Sequence, residues 1–185
     1  MRIMRMLSVK AMICAALAAL LFSGCAGRHI SMTPKVPGLL NVPENQLLSF
    51  ALRGVGMQIY ACKAVNDDPG RFDWAFIAPE AVLLDNRGNK VGKHYAGPTW
   101  EANDGSKVVG EVLAKDNGPD PAAIPWLLLR AKANAGSGIF SQITSVQRLN
   151  TEGGKAPADA CTQAKAGTEV RIPYTADYYF YAARY

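Results

Sequence analysis

The feature that most narrows what this chain can fold into is the spacing of its turn sequences: NRGN at 86–89, NDGS at 103–106, NAGSG at 134–138 and EGG at 152–154. Glycine, asparagine and aspartate at such places supply unusual backbone angles or bond their own backbone, so each marks a reversal of the chain. Between and before them run short segments that are continuously apolar or alternate: LLSFALR (47–53), GMQIYACK (56–63), DWAFIAPEAVLLD (73–85), KVGKHY (90–95), TWEA (99–102), KVVGEVLAK (107–115), PWLLLRAKA (125–133), IFSQITSVQRL (139–149) and YTADYYFYAAR (174–184). None keeps a helical period for more than a few turns. Many short strands at this spacing predict an all-β fold, an antiparallel β-sandwich or barrel. APADACTQAKAG (156–167) is the exception, since its alanine, glutamine and lysine favour one short helix near residues 157–166 that stops at Gly167.

The N-terminus speaks to location. MRIMRMLSVKAMICAALAALLFSGC sets Arg2, Arg5 and Lys10 ahead of an apolar run from Ala11 to Phe22, with small residues before Cys25. That run is shorter than the ~20 residues a membrane-spanning helix needs, so it reads as a secretory signal. Leu21-Phe22-Ser23-Gly24-Cys25 resembles a lipobox, which makes residues 1–24 a lipoprotein signal peptide and Cys25 the lipidated N-terminus; an ordinary signal peptide with a cysteine near the cut is the plainer alternative. Several acyl chains on one N-terminus give stable attachment. Residues 25–45, with three prolines between Ala26 and Pro43 and no clear period, read as a flexible tether, and residues 46–185 as a single β-rich domain. Ala26 lacks the aspartate type of inner-membrane retention signal, so the expected location is the cell envelope, lipid-anchored, with the outer membrane favoured, facing the periplasm or the exterior.

Loss of the signal also changes the charge. The full chain has a formal net charge of +5, but residues 1–24 hold three basic and no acidic side chains, which leaves 17 basic against 15 acidic. No basic block remains to grip nucleic acid. Of the four cysteines, Cys14 leaves with the signal and Cys25 takes lipid, so Cys62 and Cys161 are expected to form a disulfide in an oxidising compartment, with two separate buried thiols as the alternative.

HYAGPTWEANDGSKVVGEV (94–112) concentrates the unusual residues. Asp104-Gly105 suits a two-residue hairpin loop, which sets Trp100 opposite Val109 and Glu101 opposite Val108 and turns the tryptophan and glutamate to opposite faces. His94 reads as a hydrogen-bonded structural histidine, a ligand contact, or an acid–base group served by Asp85, Glu101 or Asp177; His29 falls in the solvated tether. At the C-terminus, Tyr179 and Tyr181 share one strand face and Tyr178 and Phe180 the other. One face must pack a core, and the other either packs an edge or offers a planar ligand a platform. The expected ligand surface joins His94, Tyr95 and Trp100 to Tyr179 and Tyr181. The run Ile124–Leu129 suits a strand covered on both faces, with Pro125 at its start. No phosphate loop, nucleophile elbow or zinc spacing is present in the sequence, so no metal site is expected and the cofactor question stays open.

GMQIYAC (56–62), WAFIAPEAVLLD (74–85), GKHYAGPTWEANDGSKVVG (92–110), IPWLLLRA (124–131), QRLNTEGGKAP (147–157) and YTADYYFY (174–181), taken in order, resemble domain-of-unknown-function family 3455. The resemblance implies a single secreted or envelope domain shared by bacteria and fungi, with no activity attached to any residue. The expected function is therefore an envelope lipoprotein that binds a glycan or small aromatic molecule. A hydrolase or lyase using His94, and a structural envelope-assembly lipoprotein, are the two rivals.

Overall fold

The structure, a computed structural model, describes residues 33–184. The expected signal peptide, Cys25, His29 and Tyr185 lie outside the described residues. Eight strands, β1 (Gln46–Val65), β2 (Asp68–Leu84), β3 (Lys90–Tyr95), β4 (Thr99–Ala102), β5 (Lys107–Asp116), β6 (Trp126–Ala135), β7 (Ile143–Gly153) and β8 (Glu169–Ala183), each pair antiparallel with the next. β8 returns to β1 and closes a barrel. Closure leaves no unpaired sheet edge.

β1 unites two of the expected strands through Gly54 and Gly56. These glycines serve close packing inside a strand: a Cβ on Gly54 would lie 2.5 Å from Tyr178 Cε2, and one on Gly56 would lie 2.1 Å from the Glu80 carbonyl oxygen. β7 starts later than expected, because Ile139 and Phe140 belong to the preceding turn and Phe140 folds wholly into the barrel.

An eight-stranded barrel has an interior about wide enough for side chains to fill. Here Trp100, Tyr178, Phe180 and Phe140 fill it with Leu83, Val108, Leu129 and Val146. Phe180 stacks on Phe50 at 5.0 Å and packs on Phe140 at 4.9 Å. The outer wall instead carries the ion pairs Lys107–Glu101, Arg130–Glu111, Arg171–Glu80 and Arg53–Asp177. These interior side chains are apolar or aromatic, whereas the ion pairs lie outside.

The two ends differ. One is made by short turns at 85–89, 103–106 and 136–142 and is sealed by Phe140, whose N–H donates to Ser106 Oγ at 3.1 Å and whose carbonyl accepts from Asn134 Nδ2 at 2.8 Å. The other carries the long connections 117–125 and 154–168.

Two expectations need correction. The tether is not free along its whole length: Leu40, fully buried, packs with Val36 and Val42 on the outer wall against Leu128, Leu149, Tyr179 and Tyr181. This strap also explains the apolar run of β6, whose Leu129 enters the barrel core while Leu128 lies under the strap. The expected helix near 157–166 is only a single 3-10 turn, Gln163–Lys165, and Cys161 precedes it. A lone helix of that length is marginal, and the segment finds stronger bonds across the fold. Trp74 Nε1 donates to the Asp159 carbonyl at 2.9 Å, and Gly167 N–H and the Thr168 carbonyl bond the backbone of Cys62 at 2.9 Å each. The Cys62–Cys161 disulfide, with a sequence separation of 99, fastens the same segment to β1. Constraining a loop of that length stabilises by about 4–5 kcal/mol in the chain-entropy account.

Candidate functional site

The β4–β5 hairpin is one register step from expectation: Trp100 faces Val108 and Glu101 faces Lys107. Its loop has three residues, with Ala102 N–H donating to the Ser106 carbonyl and Gly105 N–H to the Ala102 carbonyl. Within it only Gly105 takes positive φ, whereas the two-residue form needs it at both central positions. Asp104 settles the choice, since its carboxylate accepts from Ser106 N–H, Ser106 Oγ and Ile139 N–H. Trp100 and Glu101 still point to opposite sides of the wall.

His94, on β3 opposite Trp100 and Ala81, points into the barrel and is buried. Its ring stacks on Trp100 at 4.5 Å, and Tyr178 lies 5.0 Å away. Nδ1 stands 2.8 Å from the Thr99 carbonyl; a carbonyl only accepts, so Nδ1 carries the hydrogen. Burial lowers its pKa to about 3, opposed by the Thr99 bond and assisted by the charge of Arg148. His94 is therefore neutral under ordinary conditions. None of the three carboxylates considered for it is beside it: Asp85 caps the 85–89 turn, Glu101 lies on the outer wall, and Asp177 pairs there with Arg53 and Asn150. The arrangement is a packed aromatic stack and lacks an acid–base pair.

Tyr95 lies on the opposite side of the wall, where its hydroxyl donates to Glu101 Oε2 at 2.6 Å. That bond, then Lys107, holds the Glu101 carboxyl down at about 2. Tyr179 and Tyr181 are also external, on β8 and buried beneath the strap. The five residues expected to share a ligand surface are thus divided between the interior, the outer face of β3 and the outer face of β8. No such shared surface exists. Among the described residues, no three or more His, Cys, Asp or Glu side chains gather as a metal site.

The fold instead assembles a polar layer inside the loop-rich end, from residues that the sequence reading did not single out together. Arg148 on β7 faces Tyr178 across the β7–β8 ladder. Its Nε and Nη2 donate to the Pro125 carbonyl at 3.1 and 2.8 Å. Tyr60 donates to the Gly154 carbonyl at 2.7 Å, and the Tyr174 and Tyr178 hydroxyls lie 3.2 Å apart. Gln58 is buried among them, its Nε2 without a hydrogen bond of ordinary geometry, although it lies close enough to the Tyr174 hydroxyl to favour the phenolate. Burial raises the pKa of Tyr60, Tyr174 and Tyr178, so all three stay neutral. At the rim, Phe76, 53% exposed, meets the Tyr60 ring at 5.6 Å. Strand alternation carried a signal for Arg148, since Val146 and Arg148 share a face and Val146 is core.

Comparison with known proteins adds one result. No curated protein and no solved structure matches the chain. The model of a family described as a protein of unknown function (DUF3455) matches residues 43–182, a stretch that holds all eight strands except the last residue of β8. The chain belongs to the DUF3455 family.

Proposed function

We propose that this protein is a cell-envelope lipoprotein, anchored through Cys25, that acts by binding a small planar or sugar-like ligand at the loop-rich end of its barrel. The observation that carries the binding reading is the contrast between the ends. Phe140 plugs one, while the other sets an exposed aromatic edge, Phe76 against Tyr60, over buried polar side chains. Aromatic faces with a few placed polar groups are what planar and carbohydrate ligands use. The disulfide is compatible with an oxidising compartment outside the cytoplasm. Against the hydrolase or lyase alternative stands His94, neutral, stacked and bonded to a backbone carbonyl.

The test is thermal unfolding of the mature chain against oligosaccharides and small aromatic compounds. Binding to the folded state raises the midpoint with ligand concentration, and Phe76→Ala should remove the effect without lowering the midpoint of the free protein. A panel in which nothing raises the midpoint defeats the binding reading. Mass measurement of the N-terminus tests the anchor: an acylated Cys25 is expected, and an unmodified one removes the lipoprotein assignment.

A further inference from the structure

We infer that the polar layer of the loop-rich end is an anion site in which Arg148, with Gln58 as a second donor, takes the carboxylate of a small aromatic acid. This rests on the reading of that end as the ligand end and names the ligand's charged group.

Arg148 carries a charge that has no counter-charge. All 15 Asp and Glu side chains lie between Glu44 and Asp177, within the described residues. None of the ion pairs they form includes Arg148. The Arg148 guanidinium rests on one neutral oxygen, that of Pro125, and its electrostatic neighbours are the hydroxyls of Tyr178, Tyr174 and Tyr60. Burial accordingly lowers its pKa from the ordinary arginine range. A cation held away from water without an anion is costly. Arg148 as a residue nonetheless keeps part of its surface accessible.

Gln58 supplies the second, independent observation. It is 2% exposed, and its buried Nε2 makes no hydrogen bond of ordinary geometry, lying only near the Tyr174 hydroxyl. A buried amide left without a well-formed hydrogen bond is costly, and an acceptor brought in from outside relieves it.

Both groups neighbour Tyr174, each under one of the two connections of the loop-rich end. Ile124 N–H donates to the Gly153 carbonyl, and Thr151 Oγ1 donates to the Ile124 carbonyl, which pins the 117–125 connection to the end of β7 and brings Pro125 over Arg148. Gly154 passes so close over Tyr174 and Gln58 that a Cβ there would stand 2.8 Å from Tyr174 Cβ and 3.1 Å from Gln58 Cγ.

The donor set selects the ligand class. A single guanidinium and an amide N–H match the one charge and planar oxygens of a carboxylate, and guanidinium is the side chain best shaped for that group. A phosphate brings more charge than this layer offsets. The Tyr60 and Phe76 rings at the rim favour an aromatic body on the acid.

The experiment is calorimetric titration of the mature chain with benzoate and 4-hydroxycinnamate, with benzamide as the neutral counterpart and inorganic phosphate as a second anion. Saturable binding of an aromatic acid is expected, weakened ~10-fold or more in Arg148→Met as a charge-assisted bond is lost, and weakened by Gln58→Leu as well. Gln58→Leu also removes a buried orphan and so reports on the site even if Arg148→Met does not fold. Benzamide binding as well as benzoate overturns the anion site while leaving the ligand end intact. Phosphate binding as tightly as benzoate overturns the carboxylate assignment. No binding of any of the four overturns the anion site, and the binding reading then stands or falls on the wider thermal panel.

Discussion

The side-chain amide of Gln147 donates to the Leu40 carbonyl at 2.7 Å, across 107 residues of sequence. Tyr181 completes the link by donating its hydroxyl to Gln147 Oε1, also at 2.7 Å. A polar relay therefore crosses the apolar patch formed by Leu40, Leu128, Leu149, Tyr179 and Tyr181, and it ties the segment before β1 to the wall of the barrel. Without that segment, the outer face of β6, β7 and β8 would present a leucine and tyrosine surface to water.

Leu40→Ala should cost about 2–5 kcal/mol, the range for truncating a fully buried leucine. Leu39, beside it and 53% exposed, supplies the control: Leu39→Ala should stay within about 0.5 kcal/mol of the parent. Urea unfolding reads both. Equal midpoints for the two variants would show that the strap adds nothing to stability.

Much of this arrangement was legible in the sequence, and the reasons for the rest are physical. Alternation alone put Tyr178 and Phe180 on one face and Tyr179 and Tyr181 on the other, and both faces are buried. Alternation does not say what covers the second face, because residues 36–42 reach it only through the closed fold. The hairpin register was missed by one step for a similar reason. Asn-Asp-Gly-Ser serves a two- or a three-residue loop, and Asp104 is drawn to the latter through its bond to Ile139 N–H, 35 residues away. Rarity marks His94 and Trp100 in the sequence, and both are buried inside the barrel. Arg148 shares a face with the core residue Val146, but which face of that strand turns inward is set only by closure of the barrel.

His94 should make the fold sensitive to mild acid. In the unfolded chain a histidine titrates near ~6.5, whereas in the folded chain His94 titrates at about 3. Above that unfolded value both states hold the ring neutral, and the contribution is complete. As pH falls below it, the unfolded chain binds a proton that the folded chain refuses, so stability drops by up to about 1.4 kcal/mol per pH unit until the folded ring titrates. Glu101, lowered to about 2, acts in the same direction but at lower pH. His94→Gln should flatten the dependence between pH 6.5 and 4.5. Urea unfolding across that interval decides it, and parallel curves for parent and variant would remove His94 as the cause.

Gly56 tests the close approach of β1 and β2. It sits opposite Ala81 on β2 and Tyr174 on β8, with no positive φ to demand glycine. The demand is steric: a Cβ would stand 2.1 Å from the Glu80 carbonyl oxygen, 2.5 Å from Ala81 Cα and 2.6 Å from Ala81 Cβ. Two of these three atoms are backbone, so no side-chain rotation relieves the clash and the strands must separate. Ala81 also pairs with His94, so the displacement reaches the histidine–tryptophan stack. Gly56→Ala should therefore destabilise by about 1–3 kcal/mol or more, the usual cost of overpacking, and should alter the near-ultraviolet circular dichroism of the aromatic core. Gly38→Ala is the matched control, because a Cβ there meets nothing within 4 Å. If the two alanine variants unfold at the same urea concentration, β1 and β2 do not approach as closely at Gly56 as the structure has them.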